Sequence, residues 1–294
     1  MNKLKLSKVL FTCLAILLWT VNTFAQNPQE EKIELPLTDP DRPAYVNITW
    51  QVDGDVQVIG YDGTTVEVQI VDQIEKSTGS VREIDRDRDR ERQSQRQNQS
   101  QRTRSGLRKL NVSGSSLNVS ERNNRVTINN RYGGGESNVV IRVPRNTSLT
   151  ISSYQDVNMY VEGISGEIEA KNSNGDLIEL MNVSGTVHAN CLNGDITVEM
   201  TAVDQENPMS FRALNGDIDV TFPADLKATF SLESRQGQVL TGFEDNEIDI
   251  QTEWDKEESK SGYTYSKKSK GILNGGGVEI VFYTMNGDII IRKK

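Results

Sequence analysis

Apolar and polar residues alternate in short runs along most of this chain. Examples are Val56-Gln57-Val58-Ile59, Thr65-Val66-Glu67-Val68-Gln69-Ile70, Arg125-Val126-Thr127-Ile128 and Val139-Val140-Ile141-Arg142-Val143. A period of two sends alternate side chains to opposite faces, so each run predicts a half-buried β-strand. Val, Ile and Thr dominate these runs and suit a pleated surface. Gly, Asn, Asp and Ser separate them, and helical periodicity is almost absent beyond the N-terminal segment.

A longer period lies over the short one. Asn-Gly-Asp occurs at Asn174-Gly175-Asp176, Asn193-Gly194-Asp195, Asn215-Gly216-Asp217 and Asn286-Gly287-Asp288, each followed by Leu177, Ile196, Ile218 or Ile289. The first three glycines are 19 and 22 residues apart, and Gly237 follows 21 later. A repeat of about 20 residues predicts a solenoid. The expected fold is therefore all-β, a single-stranded parallel β-helix with coils of about 20 residues. Between Gly163 and Met200 the glycines at 166, 175, 185 and 194 fall at intervals of 9, 10 and 9, two half-units per coil.

Alternation assigns the faces. Val187, Ala189, Cys191, Ile196, Val198 and Met200 point inward, while His188, Asn190, Thr197 and Glu199 point to water. The 10-residue interval holds Leu177-Ile178-Glu179-Leu180 and predicts a bulge, because a one-residue slip would drive Glu179 inward. Asn174, Gly175, Asn193, Gly194, Asn215, Gly216, Asn286 and Gly287 are the expected structural turns, since sharp corners need conformations that Gly and Asn tolerate. Asn-Gly also favours hairpins, so an antiparallel meander is a rival. Equivalent residues at a regular spacing favour stacked parallel coils, with asparagines laddered about 4.8 Å apart.

The first residues change the picture of location. Lys3, Lys5 and Lys8, an apolar run from Val9 to Val21 and Thr23-Phe24-Ala25 predict a signal peptide over 1–25. The run is short for a membrane span, and Cys13 lies inside it, not after it as a lipidated cysteine would. The expected product is an exported bacterial protein, periplasmic or at the cell surface. Loss of three lysines takes its charge from −9 to −12. Residues 26–44 are expected to form a linker and 45–294 one β-helix domain with two interruptions. The first, 76–108, carries ten Lys/Arg and five Asp/Glu, and its stretch from Gln93 to Arg104 has no apolar residue. It is expected to be a disordered excursion, with a basic tether for an acidic polymer as the sharper reading. The second is a charged loop at 251–270 with Trp254, Tyr263 and Tyr265. The remainder, at −17, argues against nucleic acid as a partner.

Catalytic chemistry finds little purchase. His188 is the one histidine, and no Gly-x-Ser-x-Gly elbow accompanies it. A zinc site would have to be built from His188 and Cys191, so no cofactor is expected. Cys191 reads as a small buried hydrophobe. The glycine runs 133–135 and 275–277 lack the Lys-Ser/Thr of a phosphate loop and predict turns. Asp176, Asp195 and Asp217 form the one column with chemical promise. Stacked carboxylates repel, and a calcium ion would relieve them. Turn chemistry is the blander reading, and the Gly-Gly-x-Gly-x-Asp calcium repeat is absent.

Several segments taken in order resemble the DUF4097 family, whose members carry the label of adhesins. They are Val143-Pro144 with Leu149-Thr150-Ile151, Val161-Glu162-Gly163-Ile164-Ser165-Gly166-Glu167-Ile168, Phe222-Pro223-Ala224-Asp225-Leu226-Lys227-Ala228, and Gly275-Gly276-Gly277 leading to Thr284-Met285-Asn286-Gly287-Asp288-Ile289. The resemblance covers roughly 140–294 and extends more loosely over Gly54-Asp55-Val56 through Val68. It implies a parallel β-helix of the bacterial surface or periplasm and carries over no catalytic residue.

Two functions follow as expectations. One is a non-enzymatic envelope protein whose flat sheet faces bind a glycan or surface protein, or serve as a scaffold. The alternative is a polysaccharide-cleaving β-helix enzyme, a lyase or hydrolase. Self-association through an open strand edge is a further possibility, opposed by the charge of Arg292-Lys293-Lys294.

Overall fold

The computed structural model describes residues 32–71, 74, 117–130, 137–259 and 262–294. The expected signal peptide, the 76–108 excursion and the 133–135 glycines lie outside the described residues. Those described form strands and turns, with no helix among them.

The body is a stack of rungs, each a strand of one sheet followed by a strand of the other. In spatial order they are β6–β7 (Arg125–Asn130, Asn138–Pro144), β2–β3 (Tyr45–Trp50, Val56–Tyr61), β8–β9 (Ser148–Ser153, Met159–Glu162) and β10–β11 (Ile168–Asn172, Leu177–Gly185). Then come β12–β13 (Val187–Asn193, Asp195–Val203), β14–β15 (Met209–Asn215, Ile218–Phe222), β20–β21 (Val278–Asn286, Ile289–Lys293) and β16–β17 (Ala228–Ser234, Val239–Thr241). Neighbouring rungs pair in parallel, and Ile196 lies in register between Ile178 and Ile218.

Two features depart from the uniform coil expected. First, both sheets are mixed. Antiparallel strands extend their ends: β4 (Thr65–Val71) on β7, β1 (Lys32–Pro36) on β4, β5 (Leu117–Arg122) on β6, β19 (Gly262–Leu273) on β16 and β18 (Ile248–Ser259) on β19. The result is a ten-stranded and an eleven-stranded sheet, neither closed into a barrel. Second, spatial order differs from chain order. β20–β21 lies between β14–β15 and β16–β17, and β2–β3 lies between β6–β7 and β8–β9. Matching corners explain the first exchange. The Asn286-Gly287-Asp288 turn fits onto Asn215-Gly216-Asp217, whereas Arg235-Gln236-Gly237 lacks the asparagine.

The linker and the charged loop are also revised. Residues 32–36, within the expected 26–44 linker, form β1, where Ile33 and Leu35 pack against the core. The 251–270 segment lies within the long β18–β19 hairpin. Its two strands pair antiparallel from Ile248↔Leu273 to Ser259↔Gly262.

Val, Ile and Leu from both inner faces fill one continuous core. Four phenylalanines close its C-terminal part: Phe211 stacks on Phe282 at 5.1 Å, and Phe222 and Phe230 meet Phe282 edge-on at 6.4 and 5.8 Å. Such contacts add about 0.5–1.5 kcal/mol each beyond area burial. The bulge falls slightly later than expected. Ile178 and Leu180 keep their inward register, and the shift occurs between Leu180 and Ser184. Asn182 absorbs it with a φ of 54°, a conformation asparagine tolerates better than most residues.

Candidate functional site

The repeated corners form a ladder with direction. Asn193 Nδ2 reaches Asn174 Oδ1 at 3.4 Å, Asn215 Nδ2 donates to Asn193 Oδ1 at 2.8 Å, and Asn286 Nδ2 donates to Asn215 Oδ1 at 2.6 Å. The aspartates run beside them. The backbone N–H of Asp217 donates to Asp195 Oδ1 at 2.8 Å, that of Asp288 to Asp217 Oδ1 at 2.7 Å, and that of Gln238 to Asp288 Oδ1 at 2.8 Å. Asp176 enters through its backbone carbonyl, which accepts from Asp195 N at 2.9 Å. Of the three cation candidates, Asp195 and Asp217 thus each use a carboxylate oxygen to hold the next rung. Glycine is required for a reason beyond turn conformation: a Cβ on Gly216 would collide with the Gly194 carbonyl, and one on Gly287 with the Gly216 carbonyl.

A second arrangement lies on the outer face of the eleven-stranded sheet. Parallel register lines up Thr150, Glu169, His188, Ser210 and Val281 in one row. Ser152, Lys171, Asn190, Arg212 and Tyr283 form the next. Lys171, Asn190 and Arg212 are exposed, and their inward neighbours are buried. At about 4.8 Å per strand, the step from Lys171 to Tyr283 spans roughly 14 Å. Lys171 pairs with Glu169 on its own strand. Tyr283 lies beside Arg212 in register, and the Arg235 guanidinium approaches its ring at 5.9 Å.

The Toastrack DUF4097 family profile matches residues 164–291. That stretch is similar to the DUF4097 family. The chain is also similar to a solved protein of Clostridium sporogenes ATCC 15579 described as a candidate cell adhesion protein. That likeness has 9% identity, a TM-score of 0.44, and covers 90% of this chain and 99% of the other. No curated protein sequence matches the chain.

The matched stretch contains all four Asn-Gly-Asp corners and most of the polar rows. Its only histidine, His188, faces outward, with Nδ1 3.0 Å from Ser210 Oγ. Cys191 is buried, and loss of solvation, then the nearby Asp195 charge, push its thiol up to about 12. The 275–277 glycines form a tight turn, closed by Gly276 N donating to Leu273 O at 2.9 Å. Among the described residues no cluster of three or more His, Cys, Asp or Glu is placed to hold a metal ion.

Two clefts interrupt the faces. One of about 420 Å³ is lined by Gly60, Arg145, Glu162, Asn182 and Ser184, with Arg145 Nε held by Asp62 at 2.8 Å. The other, about 390 Å³, lies at the C-terminal end between β17 and β18, lined by Leu232, Val239, Ile248 and Ile250. The C-terminal cations are not free charges guarding an edge, as the sequence suggested. β21 lies inside its sheet, Arg292 forms a forked bond with Asp219 at 2.5–3.0 Å, Lys293 meets Glu247 at 2.5 Å, and Lys294 meets Glu199 at 2.6 Å. Arg212 and Tyr283 escaped the sequence reading. Alternation places each outward beside Phe211 and Phe282, but their adjacency depends on the exchanged rung order.

Proposed function

We propose that this chain is an exported, non-enzymatic envelope protein that binds an extended partner across the outer face of its eleven-stranded sheet. The paired rows described above carry the reading. They offer hydroxyls, amides, two cations and one aromatic ring at a regular strand spacing. Such a surface makes many modest hydrogen bonds, which suits a glycan chain or an extended protein segment. Tyr283 supplies a flat apolar platform, and Lys171, Asn190 and Arg212 supply donors beside it. We read the stacked rungs as a parallel β-helix scaffold that keeps these groups in line. No helix among the described residues is long and apolar enough to cross a membrane.

The test is a glycan and envelope-protein binding panel run with the wild type, Tyr283→Ala and Arg212→Ala, each variant first checked for folding by circular dichroism. Binding that weakens about tenfold in either variant supports the face, since about 1.4 kcal/mol corresponds to that factor. Unchanged binding in both removes it. New reducing or unsaturated ends in the panel would overturn the non-enzymatic reading in favour of a polysaccharide-cleaving enzyme. Protease accessibility on intact cells separates the outer surface from the periplasm.

A further inference from the structure

The four Asn-Gly-Asp corners are equal in sequence and unequal in the stack. At Asn193 the side chain donates to the Asn174 rung and accepts from Asn215, and the Gly194 N–H donates to Asn215 O at 2.9 Å. At Asn215 the side chain donates to Asn193 and accepts from Asn286, and the Gly216 N–H donates to Asn286 O at 2.9 Å. At Asn174 the amide donates to Tyr154 O at 2.8 Å, and the Gly175 N–H donates to Asn172 Oδ1 at 3.0 Å. Asn286 is the last asparagine of the ladder. Its amide donates to Asn215, and the next rung offers Gln236 and Gly237 in place of another Asn-Gly. No backbone carbonyl among the described residues takes the Gly287 N–H in the way that Asn215 O and Asn286 O take those of Gly194 and Gly216. Asn286 is exposed.

We infer that Asn286-Gly287 is a site of spontaneous covalent modification, the corner at which this chain deamidates. The reaction needs the asparagine side chain free to swing back and the following backbone nitrogen free to lose its proton. The Gly287 nitrogen attacks Asn286 Cγ, a C–N bond closes the five-membered succinimide, and the Cγ–Nδ2 bond breaks. The side-chain nitrogen leaves as ammonia with the proton displaced from Gly287. Water then opens one of the two imide carbonyls, giving aspartate or an isoaspartyl linkage at 286. Glycine imposes no side-chain obstruction on the closing ring. At Asn193 four hydrogen bonds must open first, at Asn215 three and at Asn286 one. The product carboxylate can no longer donate to Asn215 Oδ1, and it adds negative charge beside Asp288. An isoaspartyl linkage also inserts a backbone atom into the corner whose carbonyl accepts from Gly216. Modification therefore opens the ladder from this end.

The experiment incubates the full chain in mildly alkaline buffer, with and without urea, and follows each corner by peptide mass mapping and by isoaspartyl methyltransferase labelling. In the folded protein, conversion at Asn286 is expected to run at least roughly tenfold faster than at Asn193 or Asn215, the effect of two or three fewer bonds to open. In urea the corners should converge on similar rates. Asn286→Gln should abolish the early labelling while leaving the circular dichroism spectrum unchanged. Asn274-Gly275 is an internal comparator, because carbonyls of Ala224 and Leu226 hold its amide at 3.2 and 2.8 Å. Equal rates in the folded chain, or conversion led by Asn193 or Asn215, would overturn the assignment.

Discussion

Asn286 and Asn215 lie 71 residues apart in sequence and share a side-chain hydrogen bond of 2.6 Å. Asn215 passes the same interaction on to Asn193 at 2.8 Å, so it occupies the middle of the ladder. Asn215→Ala removes both links while leaving its neighbours able to reach water. The expected loss is about 1–2 kcal/mol, read from urea unfolding.

Gly216→Ala is expected to cost more, about 3 kcal/mol. The added methyl enters the space of the Gly194 carbonyl, which is fixed by its own rung and cannot step aside as a flexible side chain would. A lowered urea midpoint with an unchanged slope would mark this as loss of stability without a change in the surface exposed.

Acid should loosen the contact that Glu121 makes with Thr38 and Asn124. Glu121 accepts from Thr38 Oγ1 and N and from Asn124 N, and these bonds hold its carboxyl below the ordinary 4.5. Hydrogen bonds from Asn207 and from the Glu206 backbone likewise depress Asp204 below 3.8. A depressed carboxylate contributes stability that is present above its unfolded value and lost as pH falls through the folded one. Unfolding midpoints should thus decline as pH drops below 4.5, and Glu121→Gln should flatten that decline. An unaltered slope in the variant would count against the role of Glu121.

Cys191 should resist thiol reagents while the chain is folded. Its thiol is buried and titrates only at about 12, so little thiolate is available near neutrality. The folded state disfavours the charged form, so the unfolded chain gains by ionising once the pH passes 9.0, and stability should fall between 9.0 and about 12. Mass spectrometry after iodoacetamide treatment, with and without urea, reads the first effect. Alkaline unfolding curves for Cys191→Ala read the second.

Ser153→Ala should be neutral or stabilising by up to about 1 kcal/mol. Among the described residues Ser153 Oγ, Trp50 Nε1 and both side-chain polar atoms of Asn130 are buried without a hydrogen-bond partner, and the three residues sit in register on β8, β2 and β6. Removing a buried hydroxyl that no described protein group satisfies removes a cost. A clear drop in the thermal midpoint would contradict this.

The alternation at Val187–Cys191 and Ile196–Met200 was legible because a strand buried on one face leaves a period of two in the sequence. The Asn-Gly-Asp corners were legible because rung spacing repeats the same steric problem. The rung order was not. Nothing local tells Val278–Lys293 to lie against Met209–Phe222 and not against Ala228–Thr241; the choice rests on corner fit and on the phenylalanine packing at Phe282. The β18–β19 hairpin was missed because its charges resemble those of a solvated loop. Antiparallel pairing of the two strands gives the same composition a regular backbone.

The exchanged rung order has a consequence for how the chain is made. A ribosome delivers Ala228–Thr241 before Val278–Lys293, yet the earlier segment has no parallel neighbour until the later one emerges. Phe211 and Phe230 therefore wait for Phe282, their apolar rings still open to water or to a chaperone. Vectorial, rung-by-rung winding stops at Phe222, and closure becomes a late insertion event that joins distant parts of the nascent polypeptide.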